Sequence, residues 1–144
     1  MNLHLERLTP DDWSKLSKDA HKIVFCDERE PEMDRIDYAL LVTDGETPCC
    51  FSTQIELDEK SVYMQHGGAF PSVANGIYTV KGYFMLINEL KKKYSVISTR
   101  TWNLNIKMIK LALAAGLLIN GVEFIDGEIF LNLMWRKDNE RINT

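Results

Sequence analysis

The chain has 144 residues, of which 45% are apolar and 26% charged, a mixture typical of one globular domain and unlike that of a disordered chain. Its formal net charge of -4 gives no overall attraction to nucleic acid, so we predict no nucleic-acid partner. The N-terminus is too polar for a signal peptide and the apolar run 111–119 is shorter than the ~20 residues of a spanning helix, so we expect no membrane partner.

The cysteines are Cys26, Cys49 and Cys50. Because their number is odd and two of them are adjacent, a disulfide framework is not expected. No CxxC or HxxxH spacing is present, so we predict no metal site. A reducing, cytoplasmic location fits this cysteine usage best.

The first third of the chain predicts a strand followed by a helix. Residues 3–8 alternate between apolar and polar types, as in a half-buried strand. Thr9 suits a helix N-cap, and the apolar spacing after it predicts a helix over residues 10–25. Residues 27–37 are highly charged and leave three interpretations open: a solvated loop, a second helix, or a loop that faces the substrate.

The middle of the chain predicts three consecutive strands. Two β-rich runs over residues 38–57 flank Asp44-Gly45, which is a strong hairpin signal. Residues 61–73 predict the next strand, and Gly67-Gly68 within it indicates a β-bulge. Asn75-Gly76 then predicts a turn.

The last part predicts two helices and three strands. A helix over residues 79–93 ends in three lysines, which its negative C-terminal pole explains without nucleic acid. A strand over 95–102 and a helix over 105–115 follow, and Gly116 is placed to cap the second helix. Residues 122–135 predict a hairpin, and residues 137–144 a loose tail.

The predicted order is β-α-(α)-β-β-β-α-β-α-β-β in one domain over residues 1–144. Consecutive strands in the middle and alternation later indicate an α+β or three-layer α/β class. We expect a mixed, mostly antiparallel sheet with helices on both faces.

This order resembles the GNAT superfamily, the acyl-CoA-dependent N-acyltransferases. The resemblance covers nearly the whole chain and is sharpest over residues 61–135. It implies that the fourth strand parts from the fifth and that the pantetheine arm of acetyl-CoA lies in the gap. Gly67-Gly68 lies where such members carry a bulge.

The family's helix after strand four opens with Q/R-x-x-G-x-G/A, whose backbone N–H groups hold the cofactor pyrophosphate. The matching residues are 77–82, and Gly82 fills the final position. Ile77 replaces the Gln or Arg and Val80 replaces the first glycine, whereas Lys81 offers a positive charge. The resemblance therefore implies a cofactor-binding segment with an eroded motif.

A second family motif is an asparagine that opens the helix after strand five and a glycine that closes it. Asn105 and Gly116 keep this spacing, and Asn105 is a candidate cofactor-binding residue. Ala112 stands where many members carry a tyrosine that protonates the leaving thiolate. Alanine donates no proton, so that role would fall to Ser, Thr or Tyr of another strand, or to water.

His66, beside the glycine pair, is the candidate general base for a substrate amine, because its usual pKa suits that role. Glu56 and Asp58 are alternative candidates for this base.

The resemblance implies an N-acetyltransferase with an amine substrate. Two alternatives remain, a CoA-binding regulatory module and a non-catalytic bacteriophage protein of the virion, of morphogenesis or of host interaction. The last would act in the virion or host cytoplasm with a protein partner. A homodimer through the C-terminal hairpin edge is also possible.

Overall fold

The computed structural model describes residues 2–16, 36–70 and 76–138. These residues form seven strands and three helical segments. In chain order they are β1 Leu3–Leu8, α1 over residues 10–16, β2 Tyr38–Asp44, β3 Thr47–Glu56, β4 Ser61–Ala69, α2 Ile77–Lys93, β5 Val96–Trp102, α3 Ile106–Ala114, β6 Leu118–Ile125 and β7 Glu128–Arg136. The predicted order is therefore confirmed wherever the chain is described.

The strands form one seven-stranded sheet in the order β1-β2-β3-β4-β5-β7-β6. Strands β4 and β5 run parallel, whereas β1–β2, β2–β3, β5–β7 and β6–β7 are antiparallel pairs. The predicted mixed, mostly antiparallel α+β sheet is confirmed.

Residue contacts group the chain into two compact units. The first consists of Met1–Ile55 with Gln65–Leu86, and the second of Glu56–Met64 with Ile87–Thr144. Both β4 and α2 thus supply residues to each unit. The expectation of a single domain stays a prediction.

In the first unit, α1 and α2 pack on opposite faces of the sheet. Cys50 and Phe51 are neighbours in β3, so their side chains point to opposite faces. The Trp13 ring of α1 lies against Phe51, with 4.7 Å between ring centroids. On the other face, Gly82 of α2 lies against the Cys50 thiol. The predicted placement of helices on both faces is therefore confirmed in this unit.

Both predicted hairpins are present with two-residue loops. Asp44 pairs with Thr47 and Ile125 pairs with Glu128. The second loop places Asp126 at φ 51° and Gly127 at φ 81°, the left-handed backbone that a type I′ turn requires and that Asp-Gly adopts readily.

Helix α3 begins and ends as its sequence predicts. The Asn105 side chain caps its first turn by accepting a hydrogen bond from the Met108 N–H. At the other end, Gly116 adopts φ 100°, and the Leu117 N–H donates to the Ala112 carbonyl over 3.0 Å. This is a Schellman cap, which needs a left-handed residue and so favours glycine.

Three boundaries differ from the prediction by two residues or more. Strand β4 ends at Ala69 and not at residue 73. Helix α2 begins at Ile77 and not at residue 79, so the segment expected as a phosphate-binding loop forms the first turns of the helix. Strand β6 begins at Leu118 and not at residue 122, because Asn120 is accommodated as a bulge and does not turn the chain. The end of the predicted helix 10–25, most of the segment 27–37, Asn75 and residues 139–144 lie outside the described residues.

Candidate functional site

The parallel ladder between β4 and β5 is short. It joins Ser61–Met64 to Val96–Thr99, all of which belong to the second unit. At its last pair, the Thr99 hydroxyl donates to the Met64 carbonyl over 3.0 Å. β4 continues beyond the ladder to Ala69, and the parting of the two strands stays a prediction.

Beyond Met64, a side chain of β3 bonds to the backbone of β4. The His66 N–H donates to the Thr53 hydroxyl over 3.1 Å. Val62 and Met64 are buried, but His66, two residues further on, is exposed. The alternation therefore changes just before Gly67-Gly68, and the bulge proposed there stays a prediction.

Gln65, the first residue after the ladder, carries a hydrogen-bond acceptor with no partner. Its Oε1 atom is buried and accepts no hydrogen bond within the described part of the chain. A buried acceptor without a donor costs free energy, which a donor from a ligand can recover. Sequence patterns give no signal for such an atom, so this feature was missed.

The residues of the predicted phosphate-binding segment lie on the first turns of α2. Ile77 is 56% and Val80 41% exposed, and Lys81 is exposed whereas Gly82 is buried. The first turn of α2 contains no acidic residue, so no acid of its own offsets the positive pole of the helix. The positive pole of the helix therefore favours an anion there, whereas the Val80 side chain and the nearby Asp44 carboxylate, which is bonded to Tyr78, oppose one.

Gly82 has a packing role that is independent of any cofactor. A Cβ atom at this position would overlap the Cys50 thiol and lie 3.7 Å from the Val42 side chain. Burial raises the pKa of the Cys50 thiol to about 12, so the thiol is neutral there. The glycine thus lets α2 lie directly on β3.

Tyr78 and Asp44 join the start of α2 to the β2–β3 hairpin, a pairing that the sequence reading missed. The Asp44 carboxylate accepts from the Asn2 N–H over 3.1 Å and from the Tyr78 hydroxyl, and both bonds lower the pKa of Asp44. The same bond to Asp44 raises the pKa of Tyr78. The two residues are distant in sequence, so no local sequence pattern predicts that they pair.

No protein-family model and no curated protein sequence matches this chain. Several solved structures do match it. An IAA acetyltransferase from Bacillus cereus matches with a TM-score of 0.74 and 13% identity, over 94% of this chain and 99% of the other. The dodecameric spermidine N-acetyltransferase from Vibrio cholerae matches with a TM-score of 0.73 and 14% identity, over 99% and 98%. A putative acetyltransferase from Salmonella typhimurium, solved with acetyl-CoA, matches with a TM-score of 0.69 and 11% identity, over 96% and 95%.

The chain has the GNAT fold. At such identities the match establishes the fold alone. In that fold, α2 and α3 of this chain stand where the sequence resemblance placed the two GNAT motifs, and the chemistry has to be argued from the residues that occupy them.

The second GNAT motif supplies structure and no proton donor. Asn105 serves as the N-cap of α3, which accounts for its conformation without a cofactor. Ala112 is 2% exposed, and its carbonyl accepts the Schellman bond from Leu117. At the position where many GNAT enzymes carry a tyrosine, this chain therefore has a buried alanine that donates no proton.

The two carboxylates considered as alternative bases are engaged in the β3–β4 connection. Glu56 accepts from the Tyr94 hydroxyl over 2.8 Å and from Lys93 over 3.0 Å. Asp58 accepts from the Lys60 N–H over 2.7 Å. These bonds favour a structural role for both, and His66 stays the candidate base.

Among residues 2–16, 36–70 and 76–138, no three His, Cys, Asp or Glu side chains are grouped so as to hold a metal ion. Within the same ranges, no helix is both long and apolar enough to cross a membrane.

Proposed function

We propose that this chain binds acetyl-CoA, or a similar acyl-CoA, and acetylates an amine. The observation that carries the proposal is the unpartnered Oε1 of Gln65, on a strand whose ladder with β5 ends one residue earlier. A pantetheine arm carries amide N–H donors, so its chemistry fits a buried acceptor beside a strand.

Residues of the first unit carry the chemical groups that acetyl-CoA would need for binding. The backbone of β4 from Gln65 to Ala69 would hold the pantetheine arm, with the Gln65 amide as acceptor. The first turn of α2 and Lys81 would hold the pyrophosphate, since helix N-termini and lysines both attract phosphate. Ile77 supplies no polar group and Val80 adds bulk, so we expect weaker binding than an intact motif gives.

The chemistry would rest on one base and on water. Acetyl-CoA supplies an acetyl group activated as a thioester. His66 would take the proton that the substrate ammonium loses, directly or through water, which leaves the amine free to form the new C–N bond. Because Ala112 donates no proton, water would protonate the thiolate released when the C–S bond breaks.

A non-catalytic role is the second candidate, and the burial of Ala112 at the tyrosine position favours it. Such a protein would keep the fold and act through a protein partner. The bacteriophage origin and the virion role implied by the sequence resemblance stay predictions. For either role we also propose assembly with copies of itself, because one neighbour is described as dodecameric.

Titration calorimetry with acetyl-CoA tests the binding step. We expect saturable heat from the wild-type protein, and about three- to tenfold weaker binding in Lys81→Glu, because that change reverses the charge at the helix N-terminus. Lys110→Glu, at an exposed lysine of α3, is the matched control and should bind as the wild type does. No heat and no thermal shift at millimolar acetyl-CoA would refute the binding proposal.

Gln65→Leu separates a ligand contact from a structural one. Removing an unsatisfied buried acceptor should leave the stability of the free protein unchanged or raise it, while acetyl-CoA binding weakens. A variant that loses stability and keeps its affinity contradicts the assignment.

Release of free CoA thiol in the presence of an amine panel tests turnover. We expect His66→Ala to bind acetyl-CoA normally and to lose most turnover, about 100-fold or more. Normal binding with no thiol release from any amine would favour the non-catalytic role.

A further inference from the structure

Strand β6 is an edge strand with an unusually apolar exposed surface. It is last in the sheet order, so among the described residues it has a strand on one side only. Four of its eight residues are large, apolar and exposed, namely Leu118 at 49%, Ile119 at 47%, Val122 at 66% and Phe124 at 74%. Unprotected edges of this kind pair readily with another strand.

A bulge at Asn120 decides which face each side chain occupies. The register steps from Ile119↔Leu133 to Gly121↔Asn132, so Asn120 is the extra residue. Directly paired residues share a face of the sheet. Two faces of β6 follow: Ile119, Val122 and Phe124 lie on one, and Leu118, Gly121, Glu123 and Ile125 on the other.

We propose that β6 pairs antiparallel with β6 of a second copy of this chain, about a two-fold axis at Val122. In this register Val122 faces its own counterpart and Gly121 faces Glu123 of the copy. The two bulges then bring Ile119 opposite Phe124, and Leu118 opposite Ile125. Every pair joins residues of the same face, and all but one join apolar to apolar, which is what an isologous interface requires.

The single charge of β6 is also compatible with pairing to a second copy. Glu123 is the one charged residue of the strand, and the two-fold axis places it opposite Gly121 and not opposite its own counterpart. Its carboxylate accepts from Asn132 over 2.8 Å and pairs with Arg100 at 3.4 Å in the same subunit. The new ladder therefore brings no uncompensated like charges together.

Light scattering coupled to size-exclusion chromatography tests the pairing, which does not depend on whether acetyl-CoA binds. We expect a dimer for the wild type. Val122→Lys sets two lysines against each other on the axis, so the dimer dissociation constant should rise at least about 100-fold. Ile106→Lys is the matched control, since Ile106 is apolar and 53% exposed on α3, and it should stay dimeric.

A charge exchange then tests the axis itself. Val122→Lys and Val122→Asp should each be monomeric alone and should form a mixed dimer when combined. Because residue 122 is exposed, circular dichroism should show the native fold for each variant. A monomeric wild type, or a dimer that survives Val122→Lys, overturns the proposal.

A disulfide gives the register directly. Residues directly opposite each other in an antiparallel pair have Cα atoms roughly 4.5–5.5 Å apart, within the reach of a disulfide. Val122→Cys in a Cys26→Ser background should oxidise to a covalent dimer, because Cys49 and Cys50 are buried. Ile106→Cys should stay uncrosslinked. Crosslinking in the control, or none at residue 122, contradicts a two-fold axis at Val122.

Discussion

Gly82 occupies a position at which helix–sheet packing alone excludes a side chain. Its place in the sequence matches the last small residue of a phosphate-binding motif, yet the atom that a Cβ would strike is the Cys50 thiol of β3. Glycine within a helix costs about 1 kcal/mol relative to alanine, so the sequence accepts that cost to bring α2 close to the sheet. The glycine by itself is therefore no evidence for a cofactor.

We predict that Gly82→Ala destabilises the protein by about 1–3 kcal/mol, since overpacking outweighs the gain in helix propensity. In a Cys50→Ala background the thiol is absent, and the same change should become neutral or stabilising. Urea unfolding of the four proteins in this double-mutant cycle measures the coupling. Additive effects would show that Cys50 is not what excludes the side chain.

Asp44, with its partners Asn2 and Tyr78, makes stability depend on pH at both ends of the range. The pKa of Asp44 is lowered from 3.8 in the fold, first by the Asn2 N–H. The contribution of Asp44 to the stability of the fold is therefore present above pH 3.8 and is lost as the pH falls. The pKa of Tyr78 is raised from 10.0 by Asp44, so its contribution is present below that value and is lost as pH rises.

We therefore predict that Asp44→Asn is less stable than the wild type between about pH 5 and pH 9, and that the difference shrinks beyond both limits. Thermal unfolding over a pH series measures it. Glu46→Gln, at an exposed position of the same hairpin, is the control and should follow the wild-type profile. A difference that is constant with pH would exclude ionisation as its cause.

The C-terminal end of α3 is capped by a residue of another helix. The Lys91 ammonium of α2 donates to the Ala115 carbonyl over 2.8 Å and lies 5.1 Å from the centroid of the Trp135 ring. It thus satisfies a carbonyl that the helix leaves without an internal partner. The lysine run was predicted to complement its own helix, and this lysine also serves α3.

We predict that Lys91→Met lowers the free energy of unfolding by about 1 kcal/mol, because the Ala115 carbonyl loses a charged donor. Lys92→Met is the matched control. Lys92 pairs with Glu89 at the surface and its side chain is 75% exposed, so the change should stay within about 0.5 kcal/mol. Equal effects in the two variants would assign the stability to the helix dipole and not to the cap.

Sequence signals that act over a few residues located the elements well. Asp44-Gly45 and Asp126-Gly127 gave the hairpins, and Asn105 with Gly116 gave both ends of α3, because turn and cap preferences are local. The start of β6 is predicted at residue 122, whereas the strand begins at Leu118 and contains a bulge at Asn120. The Tyr78–Asp44 bond and the unpartnered Gln65 acceptor depend on distant strands, so no local pattern reveals them.

The two compact units share elements. β4 and α2 each supply residues to both units, so neither unit contains a complete set of its own strands and helices. We therefore predict one cooperative unfolding transition, as for a small single domain. Each unit holds a buried tryptophan, Trp13 in the first and Trp135 in the second, both 3% exposed.

These tryptophans allow the units to be followed separately. Trp102→Phe combined with Trp135→Phe leaves Trp13 as the fluorescent probe, and Trp102→Phe combined with Trp13→Phe leaves Trp135. In each variant the fluorescence midpoint in urea should coincide with the midpoint from far-ultraviolet circular dichroism. Comparing probes within one variant removes the effect of the substitutions on stability. If either tryptophan reports a transition apart from the circular dichroism, the units unfold independently, and the single-domain prediction made from the sequence is wrong.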